Sequence, residues 1–308
     1  MKLRRRLFVA AFFALALAIP FCVFLNRPPV LVVTDLSFVS LYGAHRLRFE
    51  AYYSSLVLFR RVKPVIVADD AGEDIIPFAV AEASPRPFCV LFPLRFAKGA
   101  RQYREKNPEI PAVLLEGRYP AEGVNPAAFA ISTKDTADYF VFTTDLDADF
   151  YRAGLCAAVL DGDKNGKTAV FLEPHVQKQA KEAFLRAIQD ADKTMETVFY
   201  TSFSQFRGNT GLSCVVLAGN GSDYLEKYTD VPVIFFTWLD PSMIPGDVIL
   251  VFNDSPWVQI VPAVRMVSAQ IPKGQIQSWA TILQSKSIDR DMLEKLKKNA
   301  GVKRQMPI

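Results

Sequence analysis

From residue 29 onward, short apolar runs rich in β-branched residues alternate with stretches of helical spacing. Val30–Thr34 reads as a strand that ends at Asp35. Leu41, His45, Phe49, Tyr52, Leu56 and Phe59 follow at a spacing that predicts one helix, with His45 on its apolar, core-facing side. Pro64–Ala68 is a second strand, ending in Asp69 and Asp70, and Ile75–Ala83 is a short helix. Phe88–Phe92 is a third strand, fenced by Pro85, Pro87 and Pro93. A helix over Phe96–Glu105, a strand over Ala112–Leu115 and a candidate strand over Phe129–Ile131 come next.

Tyr139–Leu160 carries the pattern most clearly. Its β-rich opening breaks at Asp145, and Phe150, Gly154, Leu155, Ala158 and Val159 then recur at helical spacing. Asp145, Asp147 and Asp149 lie at this corner, and Asp147 or Asp149 is expected to cap the helix and complement its positive end. The pattern then restarts. Strands are expected at Thr168–Leu172, Thr197–Thr201, Cys214–Ala218, Val231–Phe236 and Val248–Phe252. Helices are expected at Val176–Ile188, from about Pro256 to Ser268, and at Ile288–Asn299, the last with Ser287 as cap and Gly301 as stop.

Strands that are apolar throughout, set between helices, belong to parallel sheets covered on both faces. Two successive runs predict an α/β protein of two doubly wound parallel-sheet lobes joined by crossover hinge strands. Lobe 1 is expected over 28–145, completed by 254–272, and lobe 2 over 146–253, completed by 273–308. Crossovers are expected near Asp145, Asn253 and Gln270.

Residues 1–27 break the pattern. MKLRRR precedes Leu7–Leu25, which holds no charge, and this pairing marks a signal peptide or a retained membrane anchor. The positive-inside rule then puts the body in the periplasm or at the cell surface. Lipidation of Cys22 is a further reading, weakened by Phe21 where a small residue is required.

The net charge of +4 is supplied by Lys2, Arg4, Arg5 and Arg6; the remainder is balanced at 32 basic and 32 acidic residues. A neutral body argues against nucleic-acid binding. His45 and His175 are far apart, and neither HExxH nor CxxC occurs, which argues against a transition-metal site. Cys89, Cys156 and Cys214 read as buried thiols. Asp161–Gly166, DGDKNG, begins like a calcium loop, but Leu172 stands where the final Glu is needed and a strand follows, so a tight turn accounts for it. Gly219–Gly221 is not a dinucleotide fingerprint, and no serine sits in a nucleophile elbow. No cofactor and no enzymatic activity are expected.

The chemistry gathers at strand ends. Phe38, Phe92, Trp238 and Trp257 lie at or just past them, beside Asp35, Asp145, Asp147, Asn220, Asp240 and Asn253. Aromatics there sandwich a sugar ring or base, and Asp or Asn fixes its polar edge. These ten residues are the candidate ligand-binding set.

The order of these pieces resembles the type I periplasmic binding proteins, which include sugar-binding proteins, purine-nucleoside receptors and the ligand domains of lactose-repressor-type regulators. FTTDLDADFYRAGLCAAVL is similar to that family's first crossover, and VILVFNDSPWVQIVPAVRMVSA to its second. GKTAVFLEPHVQKQAKEAFLRAIQD, LSCVVLAGNGSDYLEKY and VPVIFFTWLD resemble the corners between them. The resemblance implies ligand contacts at Asp145, Asn220, Asp240 and Asn253, and matches Asp35 and Phe38 to the loop after the first strand. The chain departs from the family at Thr237–Trp238–Leu239, where a glycine usually precedes the position of Asp240, and at Phe92–Pro93–Leu94. An exported solute-binding protein working with an ABC permease, or sensing its ligand, is the expected function. The alternative is an envelope interaction protein that kept the fold and lost the ligand.

Overall fold

The computed structural model describes residues 18–72, 74–116, 139–162, 166–172, 177–206, 208, 211–218, 225, 231–244, 248–283 and 288–301. They fall in two compact units. Unit 1 comprises Met1–Leu115, Thr133–Val141 and Ile260–Pro272; unit 2 comprises Glu116–Ser132, Phe142–Gln259 and Lys273–Ile308. Phe129–Ile131, His175, Asn220 and Ser287 lie outside the described residues, as does most of Leu7–Leu25. Residues 18–26 are helical. Among the described residues no helix is long and apolar enough to cross a membrane.

The first sheet has the order β11(Lys273–Ile276), β5(Phe140–Thr144), β4(Ala112–Glu116), β3(Cys89–Pro93), β1(Val30–Asp35), β2(Val62–Val67). β1 pairs in parallel with β2 and β3, and β3 with β4. Every residue of β1 and β3 is buried, as central strands covered on both faces require. Pro64 sits in β2, at the sheet edge, where its missing N–H costs no ladder bond. The helices of this unit are α1(Leu36–Tyr42), α2(Ala44–Leu58), α3(Ile75–Ala83), α4(Ala97–Lys106) and, from late in the chain, α7(Ile260–Ser268).

The second sheet has the order β12(Trp279–Ile282), β10(Val248–Asn253), β9(Val233–Phe236), β8(Leu212–Ala218), β6(Lys167–Leu172), β7(Glu196–Tyr200). All its pairings are parallel except β10 with β12. Alternation along β6 shows how the sheet is clothed. Val170 and Leu172 enter the core built with α5(Leu146–Asp161), α6(Gln177–Asp190) and α8(Arg290–Asn299); Ala169 and Phe171 enter the core on the opposite face. Both cores are apolar, so the strand reads as apolar throughout.

Three expectations are corrected. The helix expected from Leu41 to Phe59 is two helices, because Gly43 has φ 93° and the chain turns there. His45 is exposed and not in the core. The stripe it belongs to faces outward as well: Phe49, Tyr52 and Leu56 are each more than half exposed, while Ala51, Ser54 and Ser55 are buried. The small inner face lets α2 pack closely on its neighbours, and Ser55 is satisfied there. Its hydroxyl donates to the Ala51 carbonyl at 2.6 Å and accepts from the Val62 N–H at 2.8 Å. Finally, α8 is capped by Asp289, whose carboxylate accepts from the Met292 N–H at 2.7 Å.

Candidate functional site

Open parallel sheets bind ligands beyond their strand C-termini, at the point where strand order reverses. In unit 1 that point lies between β1 and β3. Asp35 closes β1, is fully buried, and caps α1 by accepting from the Phe38 N–H at 2.6 Å. Its other oxygen is ion-paired with Arg95, just past the end of β3. Asp69, beyond β2, accepts from the Ser37 N–H at 2.8 Å, so two carboxylates serve the first turn of α1. The Ser37 backbone N–H and hydroxyl hold the Asp69 carboxyl below the usual carboxylate range, and the charge of Arg95 adds to this. Three strand ends thus present a cation set near two anions.

The two candidate aromatics of this unit are internal. Phe38 is buried and stacks on Tyr42, with ring centroids 4.9 Å apart. Phe92 is buried against Tyr103 at 5.8 Å.

In unit 2, Asp145 is half-buried at the end of β5 and caps α5 by accepting from the Ala148 N–H at 3.1 Å; the cap is therefore Asp145 and not the expected Asp147 or Asp149, which already lie inside the first turn. Its own N–H donates to the Ile276 carbonyl at 2.7 Å, which fixes the corner. Asp147 is half-exposed and ion-paired with Arg186 on α6 at 2.7 Å. Asn253 is buried at the end of β10 and turns the chain by accepting from the Ser255 N–H at 3.0 Å. Asp240 is half-buried and accepts from the N–H and hydroxyl of Ser242 at 2.9 and 2.6 Å. Trp238 and Trp257 are buried.

Two groups of polar residues were not singled out in the sequence. Arg95 is one; as a lone cation after a strand it carries no periodic signal. The other surrounds Asp149. Its buried carboxylate accepts from the Ser278 N–H at 2.9 Å, from the Ser278 hydroxyl, and from Arg152 at 2.7 Å. Arg152 also donates to the carbonyls of Ser278 and Ala300, each at 2.7 Å. Burial pushes the Asp149 carboxyl up, against the opposing pull of the Ser278 hydroxyl and the Arg152 charge. This network ties α5 to the turn before β12 and to the end of α8, and is structural.

Among the described residues no group of three or more His, Cys, Asp or Glu is placed to hold a metal ion. In the DGDKNG stretch, the Asp161 carboxylate accepts from the Gly166 N–H and the Ser213 hydroxyl. A Cβ on Gly166 would meet that hydroxyl at 1.9 Å, which explains the glycine without a cation.

No protein-family model matches the chain, and no curated protein matches it. Solved structures do. A transcriptional activator of the comK gene from Bacillus halodurans is 13% identical, with 89% of this chain and 96% of that chain covered and a TM-score of 0.58. An ABC-transporter solute-binding protein from Conexibacter woesei is 10% identical, covering 90% and 95%, at a TM-score of 0.56. A periplasmic solute-binding protein of an ABC transporter from Actinobacillus succinogenes, solved with bound D-allose, is 15% identical, covering 88% and 100%, at a TM-score of 0.53. Identities this low carry the fold alone. Two compact α/β units and two largely parallel six-stranded sheets in matching strand order make this the fold of the type I periplasmic binding proteins and the related transcriptional regulators.

Proposed function

We propose that this chain is an exported solute-binding protein that captures a small polar ligand, a sugar or nucleoside, through groups at strand C-termini. The observation that carries this reading is Asp145. Its carboxylate is half-buried at a strand end and held by a helix N-terminus, with Asn253 and Asp240 at two further corners of the same unit. Carboxylates so placed accept hydrogen bonds from ligand hydroxyls, and charge assistance strengthens them. Asn220 is a further contact by its place after β8. Asp35 and Asp147, with Phe38, Phe92, Trp238 and Trp257, complete the proposed set, the aromatics as walls behind the polar groups. Delivery to an ABC permease, or sensing, is the role of such a protein. The uncharged Leu7–Leu25 supplies export, either as a retained anchor or as a cleaved signal.

A second reading is favoured by one observation. Asp35 is fully buried and engaged by the chain's own Arg95 and Phe38 N–H, and all four candidate aromatics are buried. An envelope interaction protein that no longer binds a solute would look like this.

A thermal-shift screen of the purified protein against monosaccharides and nucleosides separates the two. Stabilisation by a ligand, lost in Asp145→Ala and Asn253→Ala when each is read against its own ligand-free baseline, supports solute binding. A flat screen on folded protein supports the second reading.

A further inference from the structure

α2 turns its large apolar side chains outward. Phe49, Tyr52, Tyr53 and Leu56 are 55–64% exposed and lie on one side of the helix, while the buried positions are Leu47, Ala51, Ser54 and Ser55. A helix packed on a soluble core shows the reverse. The outer face also lacks negative charge. Glu50, the one acid of α2, is half-buried and tied to the Tyr42 hydroxyl at 2.5 Å and to Arg46 at 3.3 Å, whereas Arg48 is exposed.

The position of this face matters as much as its composition. α2 ends at Phe59, and helical residues 18–26 are attached there. The ring of Phe24 lies 5.7 Å from that of Phe59, and the guanidinium of Arg27 sits 5.0 Å over the same ring. This segment exposes Ile19, Phe21, Val23 and Leu25, and it is the end of the uncharged Leu7–Leu25 run. The apolar face of α2 therefore begins where the hydrophobic N-terminal run stops.

We infer that the outer face of α2 beds on the lipid bilayer, at the surface from which Leu7–Leu25 emerges, and so lays unit 1 against the membrane. Tyrosines suit that layer, with the ring at the acyl boundary and the hydroxyl among the headgroups. A helix face that exposes Phe49, Tyr52, Tyr53 and Leu56, with Arg48 beside them and no free acid, suits burial in the plane of that interface. Arg48 is placed to meet lipid phosphates. The inference rests on reading Leu7–Leu25 as a retained anchor, and the two stand or fall separately in the following test.

Full chain in a Cys22→Ser background is reconstituted into vesicles of phosphatidylethanolamine and phosphatidylglycerol. Single spin labels are placed at Ala14→Cys in the hydrophobic run, Tyr52→Cys on α2, and Leu185→Cys on the exposed side of α6. The labels at 14 and 52 are expected to collide more with lipid-soluble oxygen than with a water-soluble nickel complex, and the label at 185 the reverse. A label at 52 that behaves like 185, while 14 reports lipid, overturns the docking and leaves the anchor. A label at 14 in water overturns the anchor reading itself. Dipolar broadening between labels at 52 makes a second copy the occupant and also overturns the inference. Replacing Phe49, Tyr52 and Leu56 together by serine, all at exposed positions, is expected to keep the circular dichroism and strip lipid contact from a label at Tyr53→Cys.

Discussion

Asp35, the last residue of β1, is ion-paired with Arg95, two residues beyond β3, across the point where the strand order of the first sheet reverses. In sheets of this topology that point ordinarily opens toward a ligand. Here a buried carboxylate occupies it, fixed on one side by a guanidinium and on the other by the N–H of Phe38. Removing one partner of a buried pair leaves the other uncompensated, a larger effect than losing a helix cap. Asp35→Ala is therefore expected to lower the unfolding free energy by about 3–5 kcal/mol. The double variant with Arg95→Ala is expected to cost less than the two single losses added, with a coupling of roughly 0.5–3 kcal/mol. Urea denaturation of all four proteins measures this, and strict additivity would show that the pair contributes nothing.

Asp149 and Ser278 are 129 residues apart in sequence, and their contact secures the last elements of the chain to α5. Ser278→Ala removes the hydroxyl and leaves the Asp149 carboxylate short of one donor, at a cost of about 1–3 kcal/mol. Asp149→Ala also frees Arg152 from its counter-charge and is expected to cost more, about 3–5 kcal/mol. Because Arg152 holds the Ala300 carbonyl, α8 should loosen first. Limited proteolysis checks the order: cleavage near α8 is expected to accelerate in Asp149→Ala before the remainder of the chain becomes sensitive. Uniform acceleration would refute a local latch.

Strands that are buried on both faces were legible because both cores demand apolar residues; Val30–Asp35 and Cys89–Pro93 announce themselves. The strand-to-helix corner at Asp145 was legible for a local reason, since strand and helix adjoin in sequence, but three nearby carboxylates left the cap placed too late, at Asp147 or Asp149 instead of Asp145. β11 and β12 were not. Lys273–Ile276 and Trp279–Ile282 are short and half-exposed, so neither burial nor length marks them, and their pairing partners lie far away in sequence. α2 misled because an apolar stripe fixes the face of a helix but not what covers it. Its small inner residues, Ala51, Ser54 and Ser55, were the contrary signal. Of the candidate site, the place of Asp35, Asp145 and Asn253 at strand ends was legible, while their cap and turn roles were not read from the sequence. The ion pair with Arg95 depends on the sheet order and had no trace in spacing.

Gly154 tests how closely α5 and α6 pack. A Cβ at this position would lie 2.7 Å from the Cβ of Ala187 and 2.8 Å from the Phe184 carbonyl oxygen. Alanine gains about 1 kcal/mol in helix propensity over glycine. Overpacking costs about 1–3 kcal/mol and dominates here, because one obstacle is backbone and cannot rotate away. Gly154→Ala is expected to be destabilised by about 1–2 kcal/mol net. Adding Ala187→Gly removes one of the two clashes and is expected to restore part of the loss in a thermal melt. A stabilised Gly154→Ala would mean that the helices separate freely.

The last prediction concerns the thiols. Cys89, Cys156 and Cys214 are buried, and burial pushes each up to about 12; Cys22 is exposed. Purified lipid-free protein that retains residues 1–27 should therefore show a single thiol, Cys22, reacting promptly with an aromatic disulfide reagent, and the other three only after denaturation. The same burial makes stability depend on alkali. The unfolded chain releases these protons near 9, the folded chain near 12, so their contribution is whole below pH 9 and is lost as pH rises toward 12. Within that window each thiol should steepen the decline by about 1.4 kcal/mol per pH unit. Cys214→Ala leaves a small cavity and shifts the whole curve down, but it should flatten the slope by that amount. Urea midpoints measured across the window for both proteins decide it. Equal slopes would mean that Cys214 ionises as readily folded as unfolded.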